Sequence, residues 1–211
     1  MIRPLDSPTQ VAVRDRSRFV LRNYLWVEAR NRTTGVVSPV GLWSGEGDVS
    51  VAVVDPDTGT TVTRTYLGDG TILRVDPVPL VVGLEVRTVQ VELSQIHAAC
   101  QHLVRGLEPR LARAQLHRGW FSPITMKLVA APRIRLDGQV DATPIATPAA
   151  GGHGSITLAI VSHTRELTKK NTARRSDESQ RLRGGGDRFY QYCDTPRTWP
   201  VSWGEIEGGN A

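Results

Sequence analysis

The sequence predicts a mainly β fold: an antiparallel barrel or sandwich with one short helix, at about residues 95–105, and extended loops or arms. Three observations favour it. Apolar and polar residues alternate through many short segments, as in half-buried strands. The chain has 20 glycines and 13 prolines in 211 residues, which is frequent punctuation for turns. Helical spacing is confined to one stretch, so a helical bundle is excluded.

The first 17 residues predict an N-terminal arm. They contain two prolines and the charged run Arg14-Asp15-Arg16, and we expect at most one helical turn, around residues 10–13. The predicted core follows at residues 18–168.

The first part of this core predicts a meander of short antiparallel strands. Pro39 lies in the second strand segment and marks an edge or a bulge. The run Asp55-Pro56-Asp57-Thr58-Gly59 predicts a hairpin turn, because proline fixes φ and glycine accepts a positive φ. The predicted strands are residues 19–30, 36–44, 48–54, 61–67 and 72–75.

The middle of the chain predicts a strand followed by the short helix. Residues 85–93 alternate, with Val89, Val91 and Leu93 on the buried side. Ser94 is the candidate helix cap, and Gly106 is the stop signal, where a left-handed residue is tolerated.

Three further strands complete the predicted core. They are residues 110–118, 126–140 and 155–163. The last is apolar on both faces, so we expect it at the centre of a sheet. Residues 118–123 predict a long hairpin loop. Residues 142–154 are small and rich in proline and glycine, and predict an extended loop or crossing arm.

The character of the chain changes after residue 168. Residues 169–186 are polar, basic and without periodicity, which predicts a loop. Residues 187–211 predict a return to order, with a closing strand at 198–204 that buries Trp199 and Trp203 against the core.

Charge is unevenly distributed along the chain, whose net charge is +5. Residues 46–92 hold eight acids and three arginines, whereas residues 165–188 hold eight bases and four acids. Such asymmetry fits nucleic-acid steering, complementary faces of neighbouring subunits, or a solvated surface without a partner.

Two cysteines lie far apart, at Cys100 and Cys193. Cys100 is on the apolar side of the predicted helix, and disulfide scaffolds are denser in cysteine, so we expect two separately buried, reduced thiols. The N-terminus has no signal-peptide core, and no apolar run approaches the ~20 residues of a membrane span. We therefore expect synthesis in the cytoplasm and no membrane insertion.

Enzyme signatures are missing, so we expect no catalytic residues. The run Gly41-Leu42-Trp43-Ser44-Gly45 fails the spacing of a serine-hydrolase elbow. A thiol peptidase needs a cysteine at a helix start beside a histidine base. Cys193 instead follows an aromatic run, and Cys100 is in mid-helix.

Cofactor and metal signals are equally weak, and we expect neither. His97, Cys100 and His102 lie close in sequence, but tetrahedral zinc needs more sulfur or imidazole than this chain supplies. An iron–sulfur cluster could form only between chains. Residues 184–187 lack the helix and Lys-Ser/Thr pair of a P-loop.

Two charged features have simple explanations. Turn formation accounts for Asp55 and Asp57. The basic run at residues 169–175 could contact phosphates without reading sequence.

Several segments together resemble the barrel domain of tail-tip hub proteins from long-tailed phages and gene transfer agents. In the core they are residues 86–93, 103–106, 112–117 with Trp120 after them, 138–140 and 155–162. The end of the chain is similar to an "SDxSQ … GDxFxxY … WG" pattern of such phage proteins. Here the pattern reads Ser176-Asp177-Glu178-Ser179-Gln180, then Gly186-Asp187-Arg188-Phe189-Tyr190-Gln191-Tyr192, then Trp203-Gly204.

This resemblance implies a virion component at the tail tip. Hub proteins of the family form trimeric rings that join the tail tube or distal tail protein to the tip or central fibre. The tape measure protein and then DNA pass through without specific binding. Some relatives carry a cysteine-rich C-terminal cluster region that this chain lacks, which leaves a hexameric distal tail protein open.

Two other classes of function are carried as alternatives, a tail-associated cell-wall hydrolase and a nucleic-acid-binding module. As intersubunit contacts of a homo-oligomer we expect residues 55–59, 142–154 and 169–186.

Overall fold

The computed structural model describes residues 6–15, 18–78, 85–152, 154–170 and 174–193. The mainly β, antiparallel fold class is confirmed, as a curled half-barrel sheet with a few short helices. The chain divides into two compact units, Met1–Thr168 and Lys169–Ala211.

Ten strands and four α-helices are defined in the described residues. The strands are β1 (Val20–Asn31), β2 (Val37–Trp43), β3 (Val49–Val54), β4 (Thr61–Tyr66), β5 (Ile72–Val75), β6 (Thr88–Ser94), β7 (Leu107–Phe121), β8 (Arg133–Ala142), β9 (Ile145–Ala146) and β10 (Ser155–Ser162). The helices are α1 (Ser7–Arg14), α2 (Ala98–Gln101), α3 (Thr164–Thr168) and α4 (Asp177–Arg181), with a π-helical turn at His102–Gly106.

The large sheet of the first unit has the order β2-β1-β7-β8-β10-β6-β5, and β9 pairs with β10 beyond the end of β8. Strand β10 lies between β8 and β6, which confirms its predicted central position. Strand β2 is an outer strand of the sheet, which is one of the two alternatives, an edge or a bulge, that Pro39 predicted. The Thr71 hydroxyl, just before β5, donates to the carbonyl of Trp43 at the end of β2 (3.0 Å). The curl therefore brings the two outer strands together at this end.

The main core lies inside the curl. Alternation places one face of every large strand inward, and Val89, Val91 and Leu93 are fully buried as predicted. Leu25 and Val27 of β1 join the same cluster.

The predicted helix is shorter than expected and begins later. His97, not Ser94, caps α2, and its Nδ1 accepts the N–H of Ala99 (3.1 Å). Ser94 is still the last residue of β6 and donates its N–H to the carbonyl of Thr71 (3.0 Å). Because the ladder holds the backbone at Ser94, the helix starts only after it. Cys100 lies fully buried at the end of this turn of helix.

The hairpin β3–β4 forms a separate two-stranded sheet. The prediction of a simple meander is therefore wrong. Instead of pairing with β5, the chain after β4 runs beside β2, where Leu67 forms a parallel bridge with Leu42. The hairpin covers the outer face of β1, where a second cluster contains Tyr24, Trp43, Val51 and Tyr66.

Several predicted boundaries need correction. The N-terminal arm contains an eight-residue helix, α1, with Thr9 buried. Met126, at the start of the predicted strand 126–140, has φ +51° in a tight turn, and β8 begins only at Arg133. The predicted arm 142–154 contains β9, paired to its own sheet.

The second unit also departs from the prediction. The basic loop 169–186 contains α4, because Ser176 caps it by accepting the N–H of Ser179. Residues 187–193 form turns, and the predicted strand at 198–204 lies outside the described residues. Both cysteines are free, but only Cys100 is buried, so the expected burial of Cys193 is wrong.

Candidate functional site

The most unusual side-chain arrangement in the first unit is a buried polar layer under the β3–β4 hairpin. Alternation along β4 points Arg64 and Tyr66 to the same side, onto the outer face of β1 and β7. Arg64 is only 5% exposed, and its Nη1 donates to Oε1 of Gln115 (2.5 Å). Its guanidinium lies 4.8 Å from the Trp26 ring centroid, close enough for a cation–π interaction.

His117 lies in this layer and is fully buried. Burial, and after it the charge of Arg64, lowers the pKa of His117 to about 4. Neither of its ring nitrogens has a hydrogen-bond partner among the described residues. Burial also raises the pKa of the Tyr24 and Tyr66 phenols, and the Tyr24 hydroxyl is likewise unpartnered there. The His117 imidazole is therefore uncharged at neutral pH and is not exposed to solvent.

An ion-pair group fastens the tip of the hairpin to the sheet. Arg113 of β7 donates to Asp57 (2.6 Å) and to Asp137 of β8 (3.0 Å). The hydrogen bond to Asp137 is the main reason that the pKa of Arg113 is raised. Asp55 accepts the N–H of Asp57 (2.9 Å), which lowers its pKa, and lies 3.5 Å from Arg64. The carboxylates of the predicted contact 55–59 are therefore engaged within their own chain.

A groove opens beside this layer, along the outer edge of β2. It has a volume of about 810 Å³ and lies between β2, β4 and α2. Most of the exposed area of its wall is apolar, with Trp26, Val40 and Ala98 among the contributing residues, and His97 and His102 also line it. Pro39 on the β2 edge has no N–H to offer a further strand. The groove is therefore suited to side chains more than to strand addition. We call it the edge groove.

The arm 142–154 lies against its own unit over part of its length. Besides the β9 pairing, the Gln95 side-chain amide donates to the hydroxyl of Thr147 (3.2 Å). The stretch 147–152 is exposed, so it still presents a surface to other molecules.

The second unit brings the two halves of its motif together. Gln180 at the end of the Ser176–Gln180 run donates to the carboxylate of Asp187, and Arg188 pairs with Asp177 (3.5 Å). The hydrogen bond from Gln180 is the main reason that the pKa of Asp187 is lowered. The N–H of Phe189, which donates to the same carboxylate (3.0 Å), is the second. The motif residues therefore hold one local structure together.

Cys100 and the helical histidines do not converge on a metal site. The Cys100 thiol donates to the Thr71 carbonyl (3.5 Å), and burial raises its pKa to about 11, so it keeps its proton. No group of three His, Cys, Asp or Glu residues able to hold a metal ion occurs among the described residues.

Arg64, Gln115, His117 and the edge groove were not singled out by the sequence reasoning. The sequence of β4 does contain a signal for the burial of Arg64. Arg64 lies on the same side of the strand as Tyr66, while three threonines occupy the other side. The groove has no such signal, because it joins elements that are distant in sequence.

No protein-family model matches the chain, and no curated protein matches it either. In the described part of the chain, no helix is long and apolar enough to cross a membrane.

Proposed function

We propose that this protein is a structural component of a phage tail tip. In this proposal it is a hub protein that forms a ring between the tail tube or distal tail protein and the tip. The ring is a trimer that lines the exit channel, through which the tape measure protein and then DNA pass. The chain acts by assembly and not by catalysis.

The observation that carries the proposal is the closed set of contacts in the motif of the second unit. The pairs Gln180–Asp187 and Asp177–Arg188 join the two halves of the pattern on which the resemblance to tail-tip proteins depends. Both halves of the pattern therefore belong to one local structure. The antiparallel half-barrel of the first unit is the second supporting observation, since the resemblance implies a barrel domain.

The arrangement of polar residues also favours assembly over chemistry. The one buried histidine in the described part of the chain, His117, is sealed under the β3–β4 hairpin. The buried thiol of Cys100 is protonated and faces a backbone carbonyl. Neither group presents a reactive atom to solvent.

The mass of the purified protein, measured by light scattering with and without tail-tube extract, tests the proposal. A trimer supports the hub. A hexamer supports instead a distal tail ring, which is the second candidate. A monomer that is indifferent to the extract would contradict both.

A further inference from the structure

We propose that copies of this chain join head to tail, with the tip between β7 and β8 of one copy inserted into the edge groove of the next. We call residues 122–127 the apolar tip. The inference rests on the proposed ring function and names the two surfaces that would build the ring.

The apolar tip is ordered by its own hydrogen bonds. The N–H of Met126 donates to the Ser122 carbonyl (2.8 Å), and the N–H of Ser122 donates to the Lys127 carbonyl (3.0 Å). The Ser122 and Thr125 hydroxyls accept two further backbone N–H groups, each at 3.4 Å. Because the apolar tip is already ordered before it binds, it loses little conformational entropy on binding.

The same turn holds two apolar side chains in solvent. Ile124 is 92% exposed and Met126 is 60% exposed. Met126 has φ +51°, a left-handed conformation that is unfavourable for residues other than glycine. A strained backbone that presents apolar groups outward suggests a function, and burial against a partner is the simplest one.

The edge groove matches this tip in size and chemistry. Its volume of about 810 Å³ is in the range of sites that enclose small molecules, so it can hold the side chains of one isoleucine and one methionine. Its wall includes Trp26, Val40 and Ala98. The charge of Arg64, which also lines it, is balanced by Asp55 and covered by the Trp26 ring.

The apolar tip cannot reach the edge groove of its own copy. Phe121, the last residue of β7, pairs with Val20, whereas Trp26 of the groove lies six residues further along β1, a separation of about 20 Å. The chain beyond Phe121 continues away from the groove. The occupant in this proposal is the apolar tip of a second copy, and because the two surfaces differ, the contact is heterologous and generates a ring or a filament.

Three variants test this contact. Ile124→Asp/Met126→Asp changes the tip, and Ala98→Trp fills the groove from an exposed position of α2. Leu73→Asp/Leu111→Asp is the matched control, because these leucines are 56% and 59% exposed elsewhere on the unit. Circular dichroism shows whether each variant keeps the wild-type fold.

We expect the tip variant and the groove variant each to lose self-association by roughly 30-fold or more, the size of a hot-spot loss. The control keeps the wild-type mass. Mixing the tip variant with the groove variant gives a 1:1 dimer, because one intact tip meets one intact groove.

The outcomes separate this inference from the proposed function. A folded tip variant that keeps the wild-type ring, or two disrupting variants that form no dimer when mixed, overturns the contact but leaves the ring. A monomeric wild-type chain overturns both.

Discussion

Acidification tests the buried layer under the hairpin through one residue, His117. The pKa of its imidazole is lowered from 6.5 to about 4 in the folded chain. Between these pH values the unfolded chain binds a proton that the folded chain does not, so the free energy of unfolding falls as the pH falls. This contribution is fully present above pH 6.5 and is lost as the pH falls through 4. At ~1.4 kcal/mol per pKa unit the loss is about 3 kcal/mol.

The assay is chemical denaturation at a series of pH values from 7 to 4, for the wild type and for His117→Gln. Glutamine does not titrate, so the variant keeps every other pH-dependent group, including Asp55, whose pKa is lowered. We expect the free energy of unfolding to fall by about 3 kcal/mol more in the wild type than in the variant. Equal pH dependence of the two proteins would refute the reasoning.

Three further predictions test the packing of individual side chains. Arg64→Met leaves the Gln115 amide oxygen without its donor and should lower the free energy of unfolding by roughly 2–4 kcal/mol, measured by denaturation; no loss would contradict the role of the guanidinium. Gly41→Ala should lower the free energy of unfolding by roughly 1–3 kcal/mol, because a Cβ at this position would clash with the backbone oxygen of Thr65 in β4. A variant as stable as the wild type would contradict this close approach of β4 to β2. Cys193 should react with a thiol reagent in the folded protein, whereas Cys100 should react only on unfolding, because it is buried and has a pKa of about 11. Equal reaction rates of the two thiols in the folded protein would contradict the burial of Cys100.

Much of the strand pattern could be predicted from the sequence because a half-buried strand has a period of two. The burial of Val89, Val91 and Leu93 follows directly from that period. Pro39, which cannot donate to a neighbouring strand, limited the position of β2 to an edge or a bulge, and the structure shows the edge. Both inferences need only local sequence.

The covering of the outer face could not be predicted in the same way. Alternation shows that Arg64 and Tyr66 share a side of β4, but not which sheet that side meets. The sequence also makes Asp55 and Asp57 look like an exposed turn, and their partners Arg64 and Arg113 are identified only by the fold. The edge groove depends on β2, β4 and α2 meeting in space, so no local pattern marks it.

The central claim is that this chain forms a ring, and electron microscopy of the purified assembly tests it most directly. The proposal predicts class averages of a closed ring with threefold symmetry and a central opening wide enough for DNA. Sixfold symmetry would favour the distal tail protein. Particles without a central opening, or monomers alone, would contradict the account.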